Sequence, residues 1–207
     1  QELGTLYTYL GLVRKRAFPT MAPFVEYSLY PCRDGWVDMG TTLGDDYTLI
    51  VQPPLPVRDL GRLDGILVGP GGVRVLTVRE WHGRYRARAK TWEYDTHSRH
   101  GWIPCRTNPS TDAAALVFGV HRWADGQGLP DLGIKPAIVF PFAHSHVVLE
   151  EPGDEIVTTD NAPWWANAYG RVMRINEATS ARIVQTLLDA AEPSADVGFS
   201  WLVDRGP

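Results

Sequence analysis

The sequence predicts an α+β (α/β) fold, a mixed β-sheet flanked by helices, built as one domain over residues 1–207. Three observations carry that expectation. Short runs rich in Val, Ile and Leu alternate with Gly- and Pro-rich breaks, which is the pattern of strands joined by turns. Other segments carry apolar residues at helical spacing, or open on a capping residue followed by proline. With 207 residues, 44% of them hydrophobic, the chain is long enough and apolar enough to bury one sizeable core.

From the N-terminus, residues 2–16 place Leu3, Leu6, Tyr7, Leu10 and Val13 close to helical spacing and stop before Pro19, so they read as a first helix. Strands are expected at Val25–Tyr30, Gly35–Met39 and Tyr47–Val51, separated by Pro31–Asp34 and Gly44–Asp46. Pro53-Pro54-Leu55-Pro56 is an extended connector. Leu60–Val68 and Val73–Glu80 are the arms of a β-hairpin around Gly69-Pro70-Gly71-Gly72. A basic strand begins at Arg84. Asn108, with Pro109 at the first helical position, caps a helix running to about Trp123, and Gly126 and Gly128 end it. Pro136–Phe142 is a buried strand. Further strands follow near Val147 and Ile156, then a short helix after Pro163 and an amphipathic helix from Asn176 to about Ala191. No repeat or low-complexity segment interrupts this order.

The hairpin carries the chemistry. With Pro70-Gly71 as the tight turn, partner numbers sum to 141, so Asp64 faces Thr77 and Arg62 faces Arg79. Side chains alternate along a strand, which sets these four on one side of the pleat. Two carboxylates on neighbouring strands with a basic residue two positions on is the arrangement of the PD-(D/E)xK nucleases, in which paired acids hold a divalent ion that activates water and stabilises the leaving oxygen. The resemblance narrows to the nuclease-related domain, NERD. That family reads Asp-(apolar)-x-(apolar)-Gly, then Gly-(apolar)-x-(apolar)-Ile-Glu-Val-Lys-x-Trp-x-Gly, then a strand, a Trp, and Asn-Pro opening a helix. The matching pieces are Asp64–Gly69, Gly72–Gly83 with Trp81 and Gly83 in place, Trp92 or Trp102, and Asn108-Pro109, over roughly residues 2–190.

The resemblance implies a restriction-endonuclease-like core of helix, three antiparallel strands, helix and strand. It also implies a hydrolase-type role in DNA processing beside helicase-type or other partner domains. It places catalytic positions at Asp64, Thr77 and Arg79, with Mg2+ or Mn2+ as the cofactor of an active member. The sequence departs from the pattern where the metal should sit: the motif glutamate falls on Thr77 and the motif lysine on Arg79. A threonine is a weak ligand for a hard cation, and an arginine is no general base although it clamps phosphate well. Glu80 beside Asp64 is the substitute metal ligand, with Asp112 and Glu2 as further acids within reach of such a fold. A degenerate site that binds nucleic acid with weak or absent cleavage is therefore expected. An active metal-dependent nuclease and a structural or protein-interaction module in which Asp64 pairs with Arg79 are the alternatives.

A net charge of −4 argues against coating nucleic acid by overall electrostatics. The local exception is Arg84, Arg86, Arg88 and Lys90, at every second position and so on one strand face, continued by Arg99, His100 and Arg106 and interleaved with Trp92, Tyr94 and Trp102. DNA, or RNA, is the expected partner of that face, base stacking being available to the aromatics. The same alternation also suits a solvated strand face whose charges prevent edge-to-edge pairing. Of the Trp164-Trp165 pair, one ring is expected to pack on the sheet and one to remain available, since helical neighbours project about 100 degrees apart.

Other chemistries lack their residues. His97 and His100, and His144 and His146, come without a standard zinc set, and Cys32 and Cys105 form neither a C-x-x-C pair nor a disulfide framework. There is no Gly-x-Ser-x-Gly elbow, and Gly69–Gly72 lacks the Lys-Ser/Thr of a phosphate loop. No apolar run approaches the roughly 20 residues of a membrane span and the N-terminus lacks signal-peptide order, so no membrane association and a cytoplasmic location are expected. Because the chain begins with Gln1, a fragment of a longer multidomain protein is also an expectation.

Overall fold

The computed structural model describes residues 29–32, 35–38, 46–51, 53, 55, 63–99, 101–129 and 132–190, with backbone alone for 29–32, 35–38 and 51. In chain order the elements are β1 (Leu29–Cys32), β2 (Gly35–Asp38), β3 (Thr48–Val51), β4 (Gly65–Gly69), β5 (Gly72–Val78), β6 (Gly83–Ala89), β7 (Thr91–Asp95), β8 (Trp102–Pro104), α1 (Pro109–Gly126), β9 (Lys135–Phe140), β10 (Ser145–Pro152), β11 (Glu155–Thr158), α2 (Ala162–Gly170) and α3 (Glu177–Ala190). The helix expected over residues 2–16 lies outside the described residues. β1 extends through Pro31 and Cys32, which had read as a separator.

The fold is α+β with two mixed sheets. One has the order β11-β9-β5-β4-β3, the other β10-β6-β7-β8, and β1 and β2 form a separate antiparallel pair. β3, β4 and β5 are an antiparallel meander, α1 follows after the second sheet's hairpins, and β9 returns parallel to β5. The expected succession of three antiparallel strands, helix and strand is thus present among the described residues.

The β4–β5 hairpin has the 141 register, with Gly65 opposite Leu76, Ile66 opposite Val75 and Gly69 opposite Gly72. Its turn needs glycine twice over. A Cβ on Gly69 would stand 2.1 Å from the Tyr47 ring, and Gly72 has φ +101°, a conformation side-chain-bearing residues avoid. Alternation then sorts the hairpin between two apolar layers. Ile66, Val68, Val73 and Val75 pack with Ile50 against Val120 and Trp123 of α1 and Ile183 and Leu187 of α3. Leu67 and Leu76 pack with Ala137, Val139 and Val157 against Trp165, Ala166 and Tyr169 of α2. Helices therefore cover both faces, as parallel pairing of buried strands requires.

The second sheet joins the first through Ala87 and Trp92, which pack on Ala113, Ile138, Phe140 and Ile156. The Trp92 indole donates to Ser110 Oγ in the first turn of α1 at 2.9 Å. α1 itself starts where the sequence places it: Asn108 Oδ1 accepts the Ser110 and Thr111 amides, satisfying donors that a helix start leaves unpaired.

Candidate functional site at the ends of β4 and β5

Asp64 immediately precedes β4, and continuing the observed register sets it opposite Thr77, near the end of β5. Its Oδ2 accepts the Val78 amide at 2.7 Å. The carboxylate thereby satisfies a backbone donor just where the β4–β5 ladder has run out. Thr77 is fully buried, in register with Ile138 of β9, and its hydroxyl has no hydrogen-bond partner. Thr77, which the register sets on one side of the pleat with Asp64 and Arg79, is thus closed off from solvent. The strand is covered on both sides at this point, so the position that reads as the motif glutamate faces protein.

Arg79 follows β5. Its amide donates to Val139 O at 2.9 Å, extending the pairing with β9, and its guanidinium turns to α1, where Nη2 meets Asp112 Oδ2 at 2.7 Å. Nη1 donates to Val78 O. Asp112 lies in the first turn of α1, where a carboxylate is favoured by the helix dipole, and here it also neutralises the arginine. The salt bridge to Arg79 that the sequence suggested for Asp64 is thus made by Asp112. Glu80 is exposed beyond the end of β5, and Glu2 lies outside the described residues.

A Mg2+ or Mn2+ ion does not fit this set. Such ions take about six oxygens, charged ones preferred. Here one carboxylate is held by a cation, another accepts a backbone amide, the threonine hydroxyl is buried without a partner, and among the described residues no three of His, Cys, Asp and Glu converge.

The basic strand is placed differently from its expectation. β6 is an interior strand, parallel to β10 on one side and antiparallel to β7 on the other. It is not an edge, so its charges have no edge-protecting role. Arg86 sits opposite Glu93, with Nε to Oε2 at 2.8 Å, and its Nη1 lies 3.7 Å from Glu150 of β10. Arg84 Nη1 lies 3.5 Å from Asp95, and both guanidiniums lie over the Trp102 ring, at 5.4 and 4.7 Å from its centroid. Two of the four cations are therefore matched by acids on neighbouring strands. Lys90 is off the strand: Ala89 adopts φ +48°, Arg88 pairs with Thr91, and Lys90 stands at the tip of a two-residue hairpin loop. Arg88, Lys90, Arg99 and Arg106 are exposed.

The aromatics divide sharply. Trp92 and Trp165 are buried at 4% and 5%, whereas Trp164 is 73% exposed, as expected for adjacent helical residues. Trp102 is half-buried beneath Arg84 and Arg86. Cys105 is a half-buried free thiol, and burial, with Glu93 nearby, pushes it up to about 11. Among the histidines, His97 and His146 are exposed and His144 stacks on His82 at 3.8 Å.

One cluster was missed in the sequence. Arg74, in the middle of β5, is 4% exposed, with Nε donating to Glu155 Oε2 at 2.7 Å. Trp165 Nε1 donates to the same oxygen, and the Arg74 guanidinium lies 4.5 Å from the Tyr169 ring centroid. Tyr169 donates to Gly72 O, and its hydroxyl is strongly raised, burial being the main cause. These groups satisfy one another and fasten α2 and β11 to the hairpin. The hint was an arginine at an inward position of an otherwise apolar strand.

Comparison with family models, with curated proteins and with solved structures finds no match to this chain. Among the described residues, no helix is long and apolar enough to cross a membrane.

Proposed function

We propose that this domain is a nuclease-related module that contacts nucleic acid without cleaving it, serving DNA processing beside a partner domain that carries the chemistry. The observation that supports this best is the 2.7 Å ion pair between Arg79 and Asp112, formed where the resemblance calls for a lysine beside a metal. Phosphodiester hydrolysis of this type needs paired carboxylates on an ion. Asp64 instead caps the Val78 amide, and the partner position is the buried Thr77. What remains for nucleic acid is the exposed tip of the β6–β7 hairpin, Arg88 and Lys90.

A second reading, a protein-interaction module, draws support from the balance of charge on the β6 face, where Asp95, Glu93 and Glu150 answer Arg84 and Arg86. A fluorescence-anisotropy salt titration with duplex DNA separates the two. Four phosphate contacts would give a log-log slope of about −3.6, but contacts by Arg88 and Lys90 alone give about −1.8. The nucleic-acid reading expects the shallower slope and its loss in Arg88→Glu with Lys90→Glu. Absence of binding by the parent chain at low salt would overturn it in favour of the interaction module.

A further inference from the structure

β10 is the longest strand described, and it forms one edge of its sheet: β6 pairs with it on one side and, among the described residues, no strand pairs with the other. Ser145 N donates to Phe142 O in the turn that leads into the strand. Leu149 is 39% exposed, and Val147 and Val148 are half-buried. Long apolar edges are normally blunted. Here the blunting comes late, as Glu151 takes φ +49° at an irregularity between Glu150 and Pro152. Among the described residues, 145–150 are left as a regular edge with no strand beside it.

The sequence of that edge, Ser-His-Val-Val-Leu-Glu, is complementary to itself when run antiparallel about Val148. His146 then meets Glu150 of the other strand, Val147 meets Leu149, and Val148 meets Val148. The His146–Glu150 contact occurs twice by symmetry, and an imidazole N–H donates to a carboxylate whether or not the ring is charged. Centring on Val147 or Leu149 would instead set His146 or Glu150 against Val148. The geometry points to a two-fold dimer in which β10 pairs with β10 of a second copy of this chain, joining two four-stranded sheets into one continuous eight-stranded sheet. An isologous contact of this kind closes on itself, so it uses up the edge and does not propagate into fibres. A strand pair of this length buries less than the roughly 1,600 Å2 of a standard interface, and the dimer should therefore dissociate reversibly on dilution.

The inference is independent of any role in nucleic-acid binding and is tested on the full chain. Sedimentation equilibrium over a concentration series should show a monomer–dimer equilibrium, and His146→Glu, which sets two glutamates face to face twice, should raise the dissociation constant roughly threefold or more. Register is read by cross-linking. Opposed Cα atoms in an antiparallel pair lie about 4.5–5.5 Å apart, within disulfide reach, so Val148→Cys should oxidise to a 148–148 disulfide located by peptide mapping. Leu149→Cys, whose two copies would lie roughly 8 Å apart, should not. A parent chain that stays monomeric at every concentration overturns the proposal. So does a dimer that His146→Glu leaves unchanged, or one in which Val148→Cys fails to cross-link.

Discussion

Thr77 keeps a buried hydroxyl with no partner, a desolvated group that folding leaves uncompensated. Thr77→Val keeps the shape and removes that burden, so urea unfolding should show a gain of about 1 kcal/mol at unchanged m-value. A loss of stability would mean that the hydroxyl is bonded in solution. Cys105 offers a pH-dependent readout. Its folded-state value, about 11 against an ordinary 9.0, means that the folded chain holds the thiol proton more tightly than the unfolded chain does. The associated stability is complete below the ordinary value and is lost as pH rises through about 11. Alkylation at Cys105 should accordingly be slow near pH 8 and accelerate towards about pH 11, followed by mass spectrometry of its peptide. Rapid modification at pH 8 would show that the site opens. At this scale the sequence was only partly legible. The side of the pleat that Thr77 and Arg79 share was visible from alternation, whereas the partner of Arg79 was not, because Asp112 is brought to it by helix docking.

At the scale of elements, periodicity and turn chemistry identified the β4–β5 hairpin with its register, the capped start of α1 and the division of labour between Trp164 and Trp165. These are local signals, fixed by glycine geometry, an N-cap and alternation. The partners of β6 were not legible in the same way. Alternation assigns Arg84, Arg86 and Arg88 to one face, but a parallel neighbour as remote in sequence as β10 leaves no mark within β6 itself, and with it came Glu150 to share in neutralising Arg86. The tip of the β6–β7 hairpin carries a local cost that can be measured. Ala89 sits at φ +48°, a conformation glycine adopts without penalty. Ala89→Gly should stabilise the chain by about 0.5–1 kcal/mol in thermal or urea unfolding. A decrease would show that the alanine methyl contributes packing worth more than the strain.

For the whole molecule, the two mixed sheets with helices on both faces of the larger one agree with the α+β architecture read from the sequence, although one mixed sheet was expected and two are present. Architecture alone does not supply a reaction, since one fold serves many chemistries and function resides in the site. The start of β4, the end of β5 and the first turn of α1 are closed by protein groups of their own, with Arg79 on Asp112, Asp64 on the Val78 amide and Thr77 in the core. Incubating single- and double-stranded DNA with the chain in Mg2+ or Mn2+, against a chelated control, tests this most directly. The account predicts no strand scission above the control with either metal, and metal-dependent scission that disappears in Asp64→Ala would contradict it.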